Sequence, residues 1–136
     1  MLSGLWGRQR RPGARGFTLI ELVVVLAILG ILLALAVPRY LGAHRRAYKK
    51  EGQTLLQELK TLSWAYYQER NVFTSNLSAL GFAMPSGASW NVPSGTPDGS
   101  TVITWTLDGA SGTPVQGSTC SVILSADGSA SQGCTF

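Results

Sequence analysis

The sequence predicts an α+β protein: one long N-terminal helix, apolar first and amphipathic later, packed on a small antiparallel β-sheet. Three observations predict it. Leu22 to Val37 form sixteen consecutive residues with no polar side chain. From Arg39 an apolar stripe continues at helical spacing toward Asn71. Beyond that, β-branched and aromatic residues alternate between clusters of turn formers, the pattern of short strands. A chain of 136 residues has room for one small domain besides the helix.

Met1 to Gly16 carries Arg8, Arg10, Arg11 and Arg15 and no acid, with Pro12 and several glycines breaking any helical pattern. It reads as a removable leader, kept on the cytoplasmic side by its arginines. The pair Arg10-Arg11 suggests a twin-arginine signal, but the residues after it fit one poorly. Phe17 to Val37, at about 1.5 Å per residue, makes a helix roughly 32 Å long, enough for a hydrocarbon core of about 30 Å. A second basic cluster, Arg39, Arg45, Arg46, Lys49 and Lys50, flanks the far end. Charge counting alone therefore does not set the orientation of the span.

Glu21 does not suit such a helix. A carboxylate in a bilayer costs about 3 kcal/mol on the gentler scales, so it marks a functional candidate that needs a partner. No Lys or Arg lies between Phe17 and Val37. A cut between Gly16 and Phe17 would create an α-amino group one helical turn from Glu21. That amine could neutralise the carboxylate of a neighbouring copy shifted along the helix axis.

The string Gly16-Phe17-Thr18-Leu19-Ile20-Glu21-Leu22, behind a basic leader and before a long apolar run, resembles the type IV prepilin signature. The resemblance covers Gly16 to about Pro38. It implies cleavage after Gly16 by a membrane prepilin peptidase, N-methylation of Phe17, and use of Glu21 in filament assembly. It also implies a single-pass inner-membrane precursor, leader inside, that the pilus assembly machinery polymerises with other pilins into an extracellular filament for adhesion, twitching or DNA uptake. The pseudopilins of type II secretion share the signature. Two plainer readings compete. Ala34-Leu35-Ala36 could close a secretory signal peptide, although the apolar run is long for one and Glu21 has no use there. A simple membrane anchor ahead of an exported binding module is the other.

The formal charge of +4 is misleading if read over the whole chain. Without the four leader arginines, seven bases (Arg39, Arg45, Arg46, Lys49, Lys50, Lys60, Arg70) balance seven acids (Glu21, Glu51, Glu58, Glu69, Asp98, Asp108, Asp127). Asn71 to Phe136 holds three Asp and no Lys or Arg. Nucleic-acid binding leans on cations that meet phosphates, so none is expected through this half. Its composition suggests no enzyme, cofactor or metal site, and the one histidine, His44, reads as a polar surface residue.

Pro38 removes a backbone hydrogen bond and is expected to kink or loosen the helix. After it, Leu41, Tyr48, Leu55, Leu59, Leu62 and Tyr66 form the expected apolar stripe, opposite Lys49, Lys50, Gln57, Glu58, Lys60 and Glu69. Gly42 and Gly52 weaken the helix by about 1 kcal/mol each, which favours bending. The parts are thus a leader over 1–16, a membrane or filament-core helix over 17–38, an amphipathic helix over 39–71 and a β head over 72–136. Within the head, Asn71 to Trp90 reads as an irregular connection in which Leu77, Leu80 and Phe82 tuck under the helix. Asn76-Leu77-Ser78 matches a glycosylation sequon, a weak signal. Pro93, Gly95, Pro97, Asp98 and Gly99 make Val92 to Ser100 a loop. Ile103, Trp105 and Leu107 alternate along a strand from Val102 to Leu107. A flexible stretch through Gly117 leads to strands near Ser118 to Ser125 and from Ser129 onward.

The last two strands permit a sharper inference. Ala126-Asp127-Gly128 suits a three-residue hairpin loop with Gly128 left-handed. Ser125 then faces Ser129, and the same register sets Cys120 opposite Cys134. Counting outward from a hydrogen-bonded Ser125–Ser129 pair puts the cysteines on a non-hydrogen-bonded pair, about 4.5 Å apart at Cα, within disulfide range. Two cysteines on an exported domain favour that bridge over two free buried thiols. A disulfide loop near the C-terminus is common in type IV pilins and rarer in major pseudopilins, so the resemblance favours a pilin.

Overall fold

The computed structural model describes residues 16–136. Of the expected leader over 1–16, residues 1–15, with the four arginines and the Arg10-Arg11 pair, lie outside the described residues. The fold is α+β, with elements in the order α1 (Leu19–Arg70), α2 (Leu77–Leu80), β1 (Ser94–Asp98), β2 (Val102–Asp108), β3 (Thr119–Ser125) and β4 (Ala130–Thr135). The chain divides after Pro38 into two compact units.

In the first unit the helix starts at Leu19, one residue after Thr18, whose Oγ1 accepts the Glu21 amide at 3.3 Å. Thr18 thus satisfies one of the donors that a helix start leaves open. Every described side chain from Gly16 to Pro38 is exposed, including Leu19 at 83% and Leu35 at 68%. Pro38 lies inside α1, the 52-residue element that ends at Arg70.

In the second unit the part of α1 from Arg39 packs on the sheet through Gly52, Leu55, Leu56, Leu59 and Ser63. This face corrects the predicted stripe. Leu55 and Leu59 belong to it, but Leu41 is exposed and Tyr48, Leu62 and Tyr66 are only half-buried. Leu56, absent from the prediction, is fully buried. The helix needs a broad apolar face against a sheet, where a single line of spacings picks out only part of it.

Gly52 is in contact with Trp90. A Cβ there would fall 2.8 Å from the indole, whose Nε1 donates to the Tyr48 carbonyl at 3.1 Å. The glycine makes room for a ring, a tertiary role that propensity alone does not reveal. About two turns from the far end, Ser63 is buried and its Oγ accepts from Trp105 Nε1 at 2.9 Å. Asn71, at φ 54, ends the helix in the left-handed conformation that asparagine tolerates.

The sheet is antiparallel throughout, in the order β1-β2-β3-β4. Ile103, Trp105 and Leu107 from β2 join Cys120, Val122 and Leu124 from β3 in the core, while Thr104, Thr106, Ser121 and Ile123 take the other face. The predicted loop over Val92 to Ser100 is corrected: Ser94–Asp98 is an edge strand paired with β2. An edge strand tolerates Pro97, and Gly95 is required because its Cβ would strike the Trp105 ring at 2.6 Å. The predicted irregular connection contains α2, whose cap is the sequon asparagine: Asn76 Oδ1 accepts from the Ser78 and Ala79 amides. Leu80 and Phe82 are buried as expected. Between β2 and β3, expected to be flexible, a run of turns is anchored by the buried Val115.

Candidate assembly and processing site

The residues singled out at the start of the chain are brought together by local structure alone. Gly16, Phe17 and Thr18 precede the first helical turn, and Phe17 is 78% exposed. Thr18 caps the turn and Glu21 stands at its third helical position, the spacing of a capping box. The order Thr-x-x-Glu was legible in the sequence as a helix start, which the emphasis on the buried carboxylate passed over. A carboxylate in a first turn also lies at the positive end of the helix dipole.

Phe17 and Glu21 are both exposed at the start of a helix whose apolar side chains find no cover among the described residues. Among the described residues, the stretch of α1 long and apolar enough to cross a membrane is 0% buried. Such a surface is stable only against lipid or against other apolar helices. The arrangement can present Phe17 and an acid, one turn apart, to a neighbouring molecule.

In the second unit, Cys120 and Cys134 form a disulfide, with Cα atoms 4.0 Å apart. They are paired directly in the β3–β4 register, as the hairpin argument expected. Ser125 N donates to Ser129 O at 2.9 Å, Gly128 N returns to Ser125 O at 2.9 Å, and Gly128 has φ 85. The half-buried Cys134 is thereby tied to the fully buried Cys120. Asp127, in that loop, accepts from the Ser129 amide at 2.8 Å. The Ser129 hydroxyl and then its amide hold the carboxyl below its ordinary range.

Among the described residues no group of three or more His, Cys, Asp or Glu is placed to hold a metal ion. His44 lies between the rings of Tyr40 and Tyr48, at 4.3 and 6.2 Å between centroids. A groove along α1 is lined by polar and charged side chains such as Lys50, Gln57, Glu58 and Gln132.

Residues 11–37 match the family model of the prokaryotic N-terminal methylation motif. The chain is 38% identical over 76 residues to the type IV major pilin protein PilA of Myxococcus xanthus, covering 56% of this chain and 34% of that protein. It is 40% identical over 67 residues to the type IV wide pilus major component PilA4 of Thermus thermophilus, covering 49% of this chain and 51% of that protein. It is 39% identical over 71 residues to the type IV major pilin protein PilE1 of Neisseria gonorrhoeae, covering 52% of this chain and 43% of that protein. The chain thus spans between a third and about half of the length of these relatives.

Proposed function

We propose, from this kinship with type IV major pilins, that the protein is a structural subunit of a type IV pilus. The observation that carries the reading is the methylation motif over residues 11–37, set at the head of an apolar helix that finds no cover among the described residues. The precursor waits in the inner membrane with its leader, residues 1–16, on the cytoplasmic side. A prepilin peptidase cuts after Gly16, and Phe17 becomes the methylated N-terminus. The apolar part of α1, residues 17–38, then exchanges lipid for the same part of other copies, with Pro38 loosening the helix between core and head. The amphipathic part over 39–71 and the head over 72–136 form the outer layer, and Cys120–Cys134 pins its last strand. The role is structural and uses no cofactor.

Glu21 gains its partner in this step. In the filament core the amine of a neighbour's Phe17 offsets the desolvation of the carboxylate and sets the axial stagger between copies.

The test is the N-terminus of the protein recovered from cells. Mass spectrometry is expected to find N-methyl-Phe17, and electron microscopy of a sheared surface fraction is expected to find filaments containing it. A terminus at Val37 would mean signal-peptidase cleavage and would end the pilin reading. Correct processing with the protein confined to the cell envelope would assign it to a pseudopilus.

A further inference from the structure

The stretch of α1 that follows Pro38 segregates two chemistries. At about 100° per residue, Arg39, Arg45, Arg46, Lys49 and Lys50 fall within an arc of about 140°. Tyr40, Leu41, His44 and Tyr48 occupy the opposite side, where they line an open groove with Arg45 and Pro114. The aromatic side is therefore turned toward the connection between β2 and β3. All five cations are exposed.

Such a face calls for an anion, and a second copy of this chain is a poor source. Asn71 to Phe136 carries three acids, which the fold disperses. Asp98 and Asp127 sit at the turns joining β1 to β2 and β3 to β4, whereas Asp108 closes β2 at the opposite end of the sheet. On the helix, Glu51 is engaged by the Ser89 amide at 2.9 Å, and Glu58 and Glu69 stand three turns apart.

Chain order points to a different anion. The cluster begins two residues after the apolar run ends at Val37. Arg39 to Arg46 covers about 10 Å of helix, against a headgroup layer about 5 to 8 Å deep on each side of the bilayer, so long arginine side chains reach it. Tyr40 suits the same depth, with an apolar ring and a polar tip. Guanidinium groups pair with phosphate oxygens through two parallel hydrogen bonds. We infer that this cationic face binds the phosphate headgroups of anionic phospholipids while the subunit waits in the membrane. The inference rests on the reading of a membrane-anchored precursor.

Native mass spectrometry of the full chain in detergent, titrated with phosphatidylglycerol or phosphatidylcholine, tests it. The leader arginines are changed to Gln in every sample, so that the only juxtamembrane cluster is the one in question. Phosphatidylglycerol is expected to be retained at least tenfold better, since each cation near an anionic surface contributes about fivefold. Arg39→Gln, Arg45→Gln, Arg46→Gln, Lys49→Gln and Lys50→Gln together should abolish the preference, with circular dichroism and the disulfide unchanged. The matching quintuple Lys/Arg exchange, which keeps the charges, should retain it. Equal retention of the two lipids, or a preference that survives the five Gln changes, overturns the proposal. Loss of filaments in the Gln variant with lipid preference intact would also overturn it and assign the face to another copy. A chain recovered from the soluble fraction of cells would instead overturn the membrane-anchored reading beneath it.

Discussion

Both parts of α1 are rich in leucine, yet only one part hides it. Leu55, Leu56 and Leu59 are at most 5% exposed, against the sheet, whereas Leu22, Leu26, Leu29, Leu32 and Leu33 are about half exposed, between 48% and 59%. The difference lies in where the covering atoms come from. The later part is completed by strands of its own chain, and burial there is worth about 25 cal/mol per Å² of apolar surface. The earlier part has the same driving force and no cover among the described residues. Its burial must come from lipid or from other molecules, and exchanging one for the other is what a filament subunit does. A helix built this way divides its sequence into a segment that specifies the fold and a segment that specifies association.

Breaking the association segment should leave the folding segment intact. Glu21→Ala is expected to reduce filament yield at least tenfold while insertion, cleavage and the head's circular dichroism stay normal. Glu21→Gln keeps the shape, loses the charge and should behave similarly. Immunoblots of membranes beside a sheared-filament fraction read both halves of the prediction. Normal yield from both variants would remove the carboxylate from assembly, and an uncut precursor would place its role at the peptidase.

The converse experiment attacks the folding segment. Closing a loop of this size stabilises by about 3 kcal/mol on the chain-entropy model, so Cys120→Ser with Cys134→Ser should destabilise the head by about that amount. Cys120 is fully buried, and replacing its sulfur by a hydroxyl adds to the loss. Thermal unfolding of the head, followed by near-ultraviolet circular dichroism, measures it. Membrane insertion of the first part should not change.

How much of this was legible in the sequence follows the same division. The apolar helix that begins beside Phe17 and carries Glu21 was readable because it is local: a run of adjacent residues and a cap, with no tertiary partner needed. The β3–β4 hairpin was readable for a similar reason, since Ala126-Asp127-Gly128 fixes a turn and the turn fixes the register. What escaped depends on contacts distant in sequence. Ser94–Asp98 looks like a loop until Trp105 covers Gly95 and β2 supplies the hydrogen bonds. Gly52 looks like a helix weakness until Trp90 occupies the space beside it. Leu56 looks solvated until the sheet proves wide enough to cover it.

Gly52→Ala puts that reading of the glycine to the test. Alanine gains about 1 kcal/mol of helix propensity. Against this, its Cβ would lie 2.8 Å from the Trp90 ring, which its own hydrogen bond to Tyr48 O holds in place. Overpacking of this kind costs about 1 to 3 kcal/mol, so a net loss of about 1 kcal/mol is expected, with a shift in tryptophan fluorescence. Gly42→Ala, where the nearest heavy atom is the mobile Arg46 guanidinium at 3.6 Å, should be stabilising. If both substitutions stabilise equally, the Trp90 contact does not explain Gly52.

The smallest effect belongs to Asp127, in the turn that sets the cysteine register. Its carboxylate accepts hydrogen bonds from the Ser129 hydroxyl and amide, which lower its pKa below 3.8. A group whose pKa is depressed by folding adds stability above its unfolded value and loses it as pH falls through the folded value. The contribution of Asp127 is therefore complete at neutral pH and fades below about pH 4. Because the side chain is exposed, water competes for the same hydrogen bonds, and the loss should be slight. Asp127→Asn keeps an acceptor oxygen for the Ser129 amide but does not titrate. It should leave the Cys120–Cys134 bridge formed and flatten the decline in head stability between pH 4 and pH 2. Unfolding midpoints for both proteins across that range decide it, and parallel curves would show that the turn is held by Gly128 and the disulfide without help from the carboxylate.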